Sequence, residues 1–350
     1  MVETFQERVF SYVQDIFRPG IVIVVGSGAS CGYGLPGMGA LTQHLLEHIP
    51  DRLSDLTADC VREWDQVAAK LKNNAGLESA MAAGNLPTPL VDTIADLVAG
   101  CIQDSEQNAI AKILSNTSPS AFGRLFEHIL RTAPVADVIT TNYDRLIEVH
   151  AARASVRVDS MYYGHTIGRL DQDLSRAELY QAKTIVGRGR NTALVQHPHV
   201  RLSKPHGSLD WFSHEDRHYR SDLAMPGARR IIAPGGNKYR LGYEAPFDVQ
   251  RARANKAIDG ASTMLFVGYG FNDEHLQTHI LPRFPEVDAV VVSRELTDNA
   301  RSYLDSNPAA IGIEAAGDDS RCRVTQGSNI VELDFPLWDL EHLTKEVLNI

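Results

Sequence analysis

Cysteine is scarce in this sequence. Four residues in 350, Cys31, Cys60, Cys101 and Cys322, stand far apart with no C-x-x-C pair. Such isolated thiols offer neither a disulfide framework nor a zinc knuckle, and they fit reduced side chains in the cytoplasm. Excess positive charge is missing too. A formal net charge of −10 argues against sequence-wide capture of DNA, RNA or an anionic membrane, so no direct nucleic-acid binding is expected. The short basic runs Arg188-Gly189-Arg190 and Arg229-Arg230 read as solvated loops. No apolar run approaches the ~20 residues needed to span a bilayer. The first residues carry Glu3, Glu7 and Asp15 in place of a basic-then-apolar secretion signal. No internal repeat or low-complexity tract stands out. What remains is an ordinary soluble composition, 43% hydrophobic and 22% charged, with length enough for one large α/β domain carrying an insertion or for two domains.

The chain is organised around Ile21–Pro36. Ile21 to Val25 reads as a short strand buried on both faces, and it runs into Gly26-Ser27-Gly28-Ala29-Ser30-Cys31-Gly32. A turn so poor in side chains exposes backbone N–H groups and suits the phosphates of a nucleotide. It is no Walker A loop, since no Gly-Lys-Ser/Thr follows, and Cys31 stands where G-x-G-x-x-G requires its third glycine. A plain glycine-rich βα turn is the competing reading.

Around it the spacing of apolar residues predicts the elements. Phe5, Val9, Val13 and Phe17 give one helix face, and Leu41, Leu45 and Ile49 another. From 51 to 132 the periodicity is helical only, with Leu90, Ile94, Leu97, Val98 and Cys101 in one stripe and Phe122, Leu125, Phe126, Ile129 and Leu130 in the next. A crossover so long predicts an inserted helical subdomain. Val135–Thr140 is the second strand, and Leu146 and Ile147 begin a helix. Residues 155–198 read as irregular, and the wider stretch 155–246 as a loop-rich excursion, with an Ala233-Pro-Gly-Gly236 turn and a minor hairpin. Val200–Ser203, Met264–Val267, Val287–Val292 and Ile330–Leu333 are further strands, separated by a helix over 252–261 and followed by one built on Leu340, Leu343 and Val347. Short buried strands alternating with helices predict an α/β fold with a Rossmann-like, doubly wound, mainly parallel sheet. Ligands of such sheets sit at the carboxyl ends of the strands, where every polar motif of this chain falls.

Four of those strand-end segments carry candidate chemistry. Gly26–Ser30 offers backbone donors. Thr141-Asn142-Tyr143-Asp144 stands at a strand-to-helix junction, where Asn and Asp also serve as N-caps. His206 lies in Lys204-Pro205-His206-Gly207-Ser208, a setting stiff before the imidazole and open after it. That suits a base near neutral pH, although a lone histidine is more often structural. Gly268–Asp273 is a second small-residue turn able to accept a ribose or adenine, with Asn272 or Asp273 placed to cap the next helix.

The ordered set resembles the Sir2 (sirtuin) superfamily, whose order is Gly-Ala-Gly-x-Ser with Gly-Ile-Pro, then Thr-Gln-Asn-x-Asp, then His-Gly, then a glycine turn near adenosine. The counterparts here are Gly26-Ser27-Gly28-Ala29-Ser30 with Gly34-Leu35-Pro36, Thr140 to Asp144, His206-Gly207, and Gly268-Tyr269-Gly270. Ser293-Arg294-Glu295 is similar to the family's adenosine-contacting Asn-x-Glu. The resemblance spans about 20–295 and implies a single Sir2-like NAD-binding domain over 1–350, with 51–132 inserted in it. Two departures stand out. Deacylating sirtuins carry a four-cysteine zinc module soon after His-Gly, whereas here no cysteine follows Gly207 until Cys322, so no zinc is expected. The family's Asp-Phe-Arg after Gly-Ile-Pro is Gly37-Met38-Gly39, which removes the arginine. The wording Thr-Thr-Asn-Tyr-Asp, Lys-Pro-His-Gly-Ser-Leu-Asp and Gly-Tyr-Gly-Phe-Asn-Asp is similar to Sir2-like NAD-consuming effectors of bacterial antiphage defence.

That resemblance implies an NAD+ glycohydrolase with NAD as substrate. Ser27–Ser30 amides would hold the pyrophosphate, with Gly26, Thr141, Gly268, Tyr269, Gly270, Ser293 and Glu295 completing the nucleotide site. Asn142 would orient the nicotinamide ribose or the attacking water, His206 would take a proton, and Asp144 would support the loop. An ungated NADase is toxic to its host, so a homo-oligomer or a partner is expected, with 51–132 as the surface. In related systems the sensor is a hexameric DNA-translocating ATPase or an Argonaute-like protein, and the chain's length leaves no room for a large sensor of its own. An NAD-dependent protein deacylase using the same His206 and Asn142, and a non-catalytic NAD or ADP-ribose sensor, are the alternatives.

Overall fold

A computed structural model describes residues 4–82, 86–117, 120–186, 190–223, 225–233 and 244–350. The main sheet has nine strands, labelled here β1 (Ile21–Val25), β2 (Val135–Thr140), β3 (Arg157–Asp159), β4 (His199–Ser203), β5 (Thr263–Val267), β6 (Asp288–Val292), β7 (Ile311–Ala316), β8 (Arg321–Gln326) and β9 (Asn329–Leu333). Their order across the sheet is β9-β8-β7-β6-β5-β1-β2-β4-β3, with β1 in the middle of the parallel part from β7 to β3. From β7 through to β3 every pairing is parallel, and β8 and β9 close one edge as an antiparallel meander. The fold is thus the expected doubly wound, mainly parallel α/β sheet.

The strand β1 is apolar at every position, and β5 at all but Thr263, because both of their faces are covered. Side chains alternate across a strand, so Ile21, Ile23 and Val25 enter one core while Val22 and Val24 enter another. Leu265 and Val267 follow the first set, and Met264 and Phe266 the second. The first core is covered by the helices Phe5–Asp15, Ala121–Leu130 and Leu340–Glu346, and the second by Phe247–Asp259, Glu274–Arg283 and Asp298–Ser306. Thr4 starts the first helix with a reciprocal cap, its Oγ1 accepting from the Glu7 amide at 3.2 Å while its own amide donates to Glu7 Oε2 at 2.7 Å.

A third core is helical. Met38–His48, Ala58–Lys72, Leu77–Ala82 and Thr88–Leu114 contribute Leu41, Leu45, Trp64, Leu71, Leu90, Ile94 and Ile113 to it. This core also takes in Tyr143, Leu146, Leu209, Ile231 and Ala233, so the helices between β1 and β2 rest on the loops at the carboxyl end of the sheet. The core draws on the helix before residue 51, while Ala121–Leu130 packs its Phe122, Leu125 and Phe126 on the sheet.

Residues 155–246 hold more regular structure than the sequence suggests. A five-stranded antiparallel sheet is formed by Ala228–Ile231, Gly207–His214, Arg217–Arg220, Gly168–Leu170 and Tyr162–Tyr163, in that order, and a separate hairpin pairs Tyr180–Val186 with Arg190–Gln196. The strands are short and partly polar, which is why periodicity did not expose them. Of the expected turn at 233–236, residues 234–236 lie outside the described residues, as do Arg188 and Gly189. No described helix is long and apolar enough to cross a membrane.

Candidate active site

The strand order places a crevice at the centre of the sheet. From β1 the chain moves to β2 on one side, and it later returns to β5 on the other. The carboxyl ends of β1 and β5 therefore flank a topological switch point, where open α/β sheets bind ligands. Both ends carry glycine turns, and the two turns interlock. Gly26 N donates to Val267 O and Gly28 N to Gly268 O, each at 3.0 Å. A Cβ on Gly26 would lie 2.4 Å from Gly268 O, and one on Gly268, whose φ is +57°, would lie 2.2 Å from Ala29 N. Neither position admits a side chain. The close approach has a consequence for the expected phosphate cradle. Gly28 N and Ala29 N donate within the fold, the latter to Gly26 O at 3.1 Å, so two of the four amides in Ser27–Ser30 face internal carbonyls.

Beside this crevice β2 ends in a polar loop with a fixed hydrogen-bond direction. Thr140 Oγ1 donates to Val25 O at 3.0 Å and accepts from Asn142 N at 3.1 Å. Thr141 N donates to Val25 O at 3.3 Å. Asn142 is 8% exposed, and its Nδ2 donates to Gly26 O and to Ser30 Oγ, both at 2.9 Å. Ser30 Oγ in turn donates to Asp144 Oδ2 at 2.7 Å, while Asp144 Oδ1 accepts from Leu146 N at 3.1 Å. A carbonyl and a carboxylate can only accept, so both Asn142 Nδ2 hydrogens are committed and Oδ1 is its remaining acceptor. Asp144 thus braces this loop, and its Oδ1 takes the first amide of the helix Leu146–Arg153. Burial pushes its carboxyl above the ordinary range, against the pull of the Lys204 ammonium.

His206 is set by a tight turn after β4. Gly207 N donates to Lys204 O at 3.0 Å, and Gly207 holds φ +86° with Arg230 O only 2.1 Å from any Cβ. The backbone on both sides is pinned: Ile232 N donates to His206 O at 2.9 Å, and Tyr143 Oη donates to Ile232 O at 2.6 Å. Lys204, 1% exposed, donates from Nζ to Asp144 O at 2.5 Å and Ser208 Oγ at 2.9 Å, with Glu148 Oε1 at 3.3 Å. This buried ammonium ties the Asn142 loop to the His206 turn.

The imidazole meets a residue that sequence reading treated as a cap alone. His206 Nε2 lies 2.6 Å from Asp273 Oδ2, the two side chains being 8% and 5% exposed. The spacing is that of an ion pair, although Nε2 is off the line of a hydrogen bond. Asp273 Oδ1 accepts from Leu276 N at 2.9 Å, so one carboxylate both caps the helix Glu274–Arg283 and touches the imidazole. His206 follows β4 and Asp273 follows β5, and β1 and β2 lie between those strands. At ~4.8 Å per strand the two backbones start about 14 Å apart. Their side chains meet above the ends of β1 and β2, the strands that supply Ser30 and Asn142. The sequence signal was the Asn-Asp at the end of the second glycine turn, and the capping role concealed the other oxygen.

The residues expected to complete a nucleotide site are less uniform. Tyr269 is 4% exposed, its ring packed 6.0 Å from Phe266 and 5.0 Å from Phe271. Its side chain belongs to the core under the sheet, and its backbone alone forms the turn against Gly26. Gly270 O accepts from Thr297 Oγ1 at 2.8 Å. Ser293, half-buried with its amide donating to Ile313 O at 3.1 Å, and Glu295, exposed, follow β6 at the same end of the sheet. Among the described residues no group of three His, Cys, Asp or Glu is arranged to hold a metal ion.

The family model for the SIR2-like domain matches residues 136–284, which include β2, Asn142, His206 and Asp273. This match supports the Sir2 superfamily suggested by the motifs. No curated protein matches. Among solved structures, a mutant Sir2 homologue bound to 2'-O-acetyl ADP ribose is 13% identical, covers 98% of each chain and has a TM-score of 0.45. A structure described as the basis for the mechanism and regulation of Sir2 enzymes is 12% identical over 87% of this chain and 90% of that one, at a TM-score of 0.42. A Sir2 homologue in complex with NAD is 12% identical over 85% and 86%, at 0.38.

Proposed function

We propose that this chain, SIR2-like over residues 136–284, hydrolyses NAD+ to nicotinamide and ADP-ribose. The observation that carries the reading is the His206–Asp273 contact spanning the switch-point crevice above Asn142. A carboxylate on Nε2 favours the tautomer with its proton there and leaves Nδ1 as the basic nitrogen. Mere binding of a nucleotide does not call for an oriented base at that position.

The scissile N-glycosidic bond is activated already, since nicotinamide departs neutral from a cationic ring. The protein then has to hold the ribose, stabilise an oxocarbenium-like centre at C1′ and deprotonate the water that adds to it. In this scheme Asn142 Oδ1 is the acceptor that orients a ribose hydroxyl or that water. His206 Nδ1 takes the water's proton and later releases it to solvent, so one water is consumed and one proton set free per nicotinamide. Asp273 holds the imidazole, and Asp144 with Ser30 holds the carboxamide. The interlocked turns after β1 and β5 and the segment 293–295 would receive the adenosine and phosphates. Deacylation is disfavoured because deacylating sirtuins carry a four-cysteine zinc module soon after their His-Gly, and no cysteine follows Gly207 until Cys322.

By its resemblance to the antiphage effectors, the chain would act as a gated, NAD-depleting enzyme of bacterial defence in the cytoplasm. The helices between β1 and β2 would be its contact surface for a second copy or for an ATPase or Argonaute-like sensor. The test is nicotinamide release from NAD+ alone, over a protein concentration series, with an acetylated peptide as a separate arm. Expected is release without peptide, lowered about 10²–10³-fold in His206→Ala. Release that requires the peptide, or that survives His206→Ala at the wild-type rate, would overturn the reading.

A further inference from the structure

The helix Thr88–Leu114 buries an apolar stripe whose one charged member is Glu106, fully buried between Ile102 and Ala109. An ionised carboxylate in such a place is tolerated when its oxygens are fully bonded. Glu106 Oε1 accepts from the backbone amide of Arg145 at 2.5 Å and from Arg145 Nε at 3.1 Å, and Oε2 accepts from Nε at 3.1 Å and Nη2 at 2.5 Å. Arg145 Nη1 continues to Asp222. Arg145 directly follows Asp144, and its neighbours Tyr143 and Leu146 are members of the helical core itself. The loop 142–146 is therefore gripped from the inserted helices at three points, one of them a backbone amide. From there Asp144, Ser30 and Asn142 form a continuous chain of hydrogen bonds.

We propose that Glu106 is a positioning residue for the catalytic loop, acting through Arg145, so that the seating of the inserted helices sets the activity of the site. This rests on the NAD-hydrolysing reading and adds to it the means by which a copy or partner on those helices is felt at Asn142. A shift of Thr88–Leu114 moves the acceptor of the Arg145 amide, and with it the carboxylate that aligns Ser30 and Asn142.

Glu106→Gln keeps the shape and one acceptor while removing the charge, and Arg145→Lys keeps the backbone bond while removing the fork. Two readouts are needed on the full chain: kcat and KM for NAD+, and hydrogen exchange at the Arg145 amide. Expected for Glu106→Gln is a kcat at least tenfold lower, KM within threefold, and exchange at Arg145 at least tenfold faster. Arg145→Lys should shift both in the same sense by less, and it serves if Glu106→Gln fails to fold. Faster exchange with unchanged kcat makes the clamp structural alone and overturns the proposal, as does unchanged exchange. A wild-type protein that releases no nicotinamide, yet whose Arg145 amide is protected and loses protection in Glu106→Gln, refutes the hydrolase reading and leaves the clamp standing.

Discussion

Asp273→Asn separates the two tasks of one carboxylate. Asn caps a helix as well as Asp, so its Oδ1 retains the bond from Leu276 N, and the capping contribution changes by less than ~1 kcal/mol. The other oxygen becomes an amide nitrogen facing His206 Nε2. An N–H so close to Nε2 disfavours a proton on that nitrogen, which moves the imidazole proton to Nδ1, the nitrogen the mechanism needs free. Loss of a correctly oriented base of this kind costs about 10²–10³ in kcat, or about 3–4 kcal/mol of transition-state stabilisation. Ground-state contacts of the nucleotide are untouched, so KM should stay within about threefold. Asp273→Ala loses the cap as well and should be about 1 kcal/mol less stable than Asp273→Asn, with the same deficit in kcat. Nicotinamide release and urea denaturation on both variants supply the numbers. A folded Asp273→Asn enzyme with kcat within threefold of wild type would refute the assignment of the pair.

Other outcomes follow from the same contacts. Asn142→Ala should lower turnover about 10²–10³-fold, while Asn142→Asp, which turns a carboxylate toward Gly26 O, should also lose about 2–4 kcal/mol in urea unfolding. Gly268→Ala, strained at φ +57° and 2.2 Å from Ala29 N, should destabilise the fold and weaken NAD+ binding in titration calorimetry, since the paired turns cannot close. His150 is fully buried, with Nδ1 3.1 Å from Ser120 Oγ, and burial lowers its imidazole from 6.5 to about 4. Between those values the unfolded chain binds a proton that the folded one refuses, so stability present above pH ~6.5 is lost as pH falls toward 4, by about 3 kcal/mol. His150→Leu should flatten that slope in denaturation measured from pH 7 to pH 4.

The parallel sheet was legible because Ile21–Val25 and Met264–Val267 are apolar on both faces, a pattern that strands share only when helices cover both sides. Its edge was harder to see. Arg321–Gln326 does alternate, with Cys322 and Val324 inward, but Ile311–Ala316 mixes Gly312 and Glu314 into its run and weakens the signal. The small sheet after Gly207 escaped because its partners, such as Tyr162–Tyr163, are two to eight residues long and come from distant parts of the chain. At the site, motif order singled out Asn142 and His206, and local spacing marked Asp144 and Asp273 as caps. Long-range contact was not legible: the 2.6 Å approach of Asp273 to His206 depends on strand order, and the burial of the Tyr269 ring depends on which way a glycine turn rolls. Glu106 was likewise hidden, since one acidic residue on a helix normally faces water.

A crystal structure of the His206→Ala protein soaked with NAD+ tests the central claim without relying on turnover or on any activating partner. The account predicts the pyrophosphate at the junction of the β1 and β5 turns, with C1′ of the nicotinamide ribose between Asn142 Oδ1 and the space left by the imidazole. A dinucleotide bound away from that crevice, or one whose nicotinamide ribose turns away from Asn142, would contradict it.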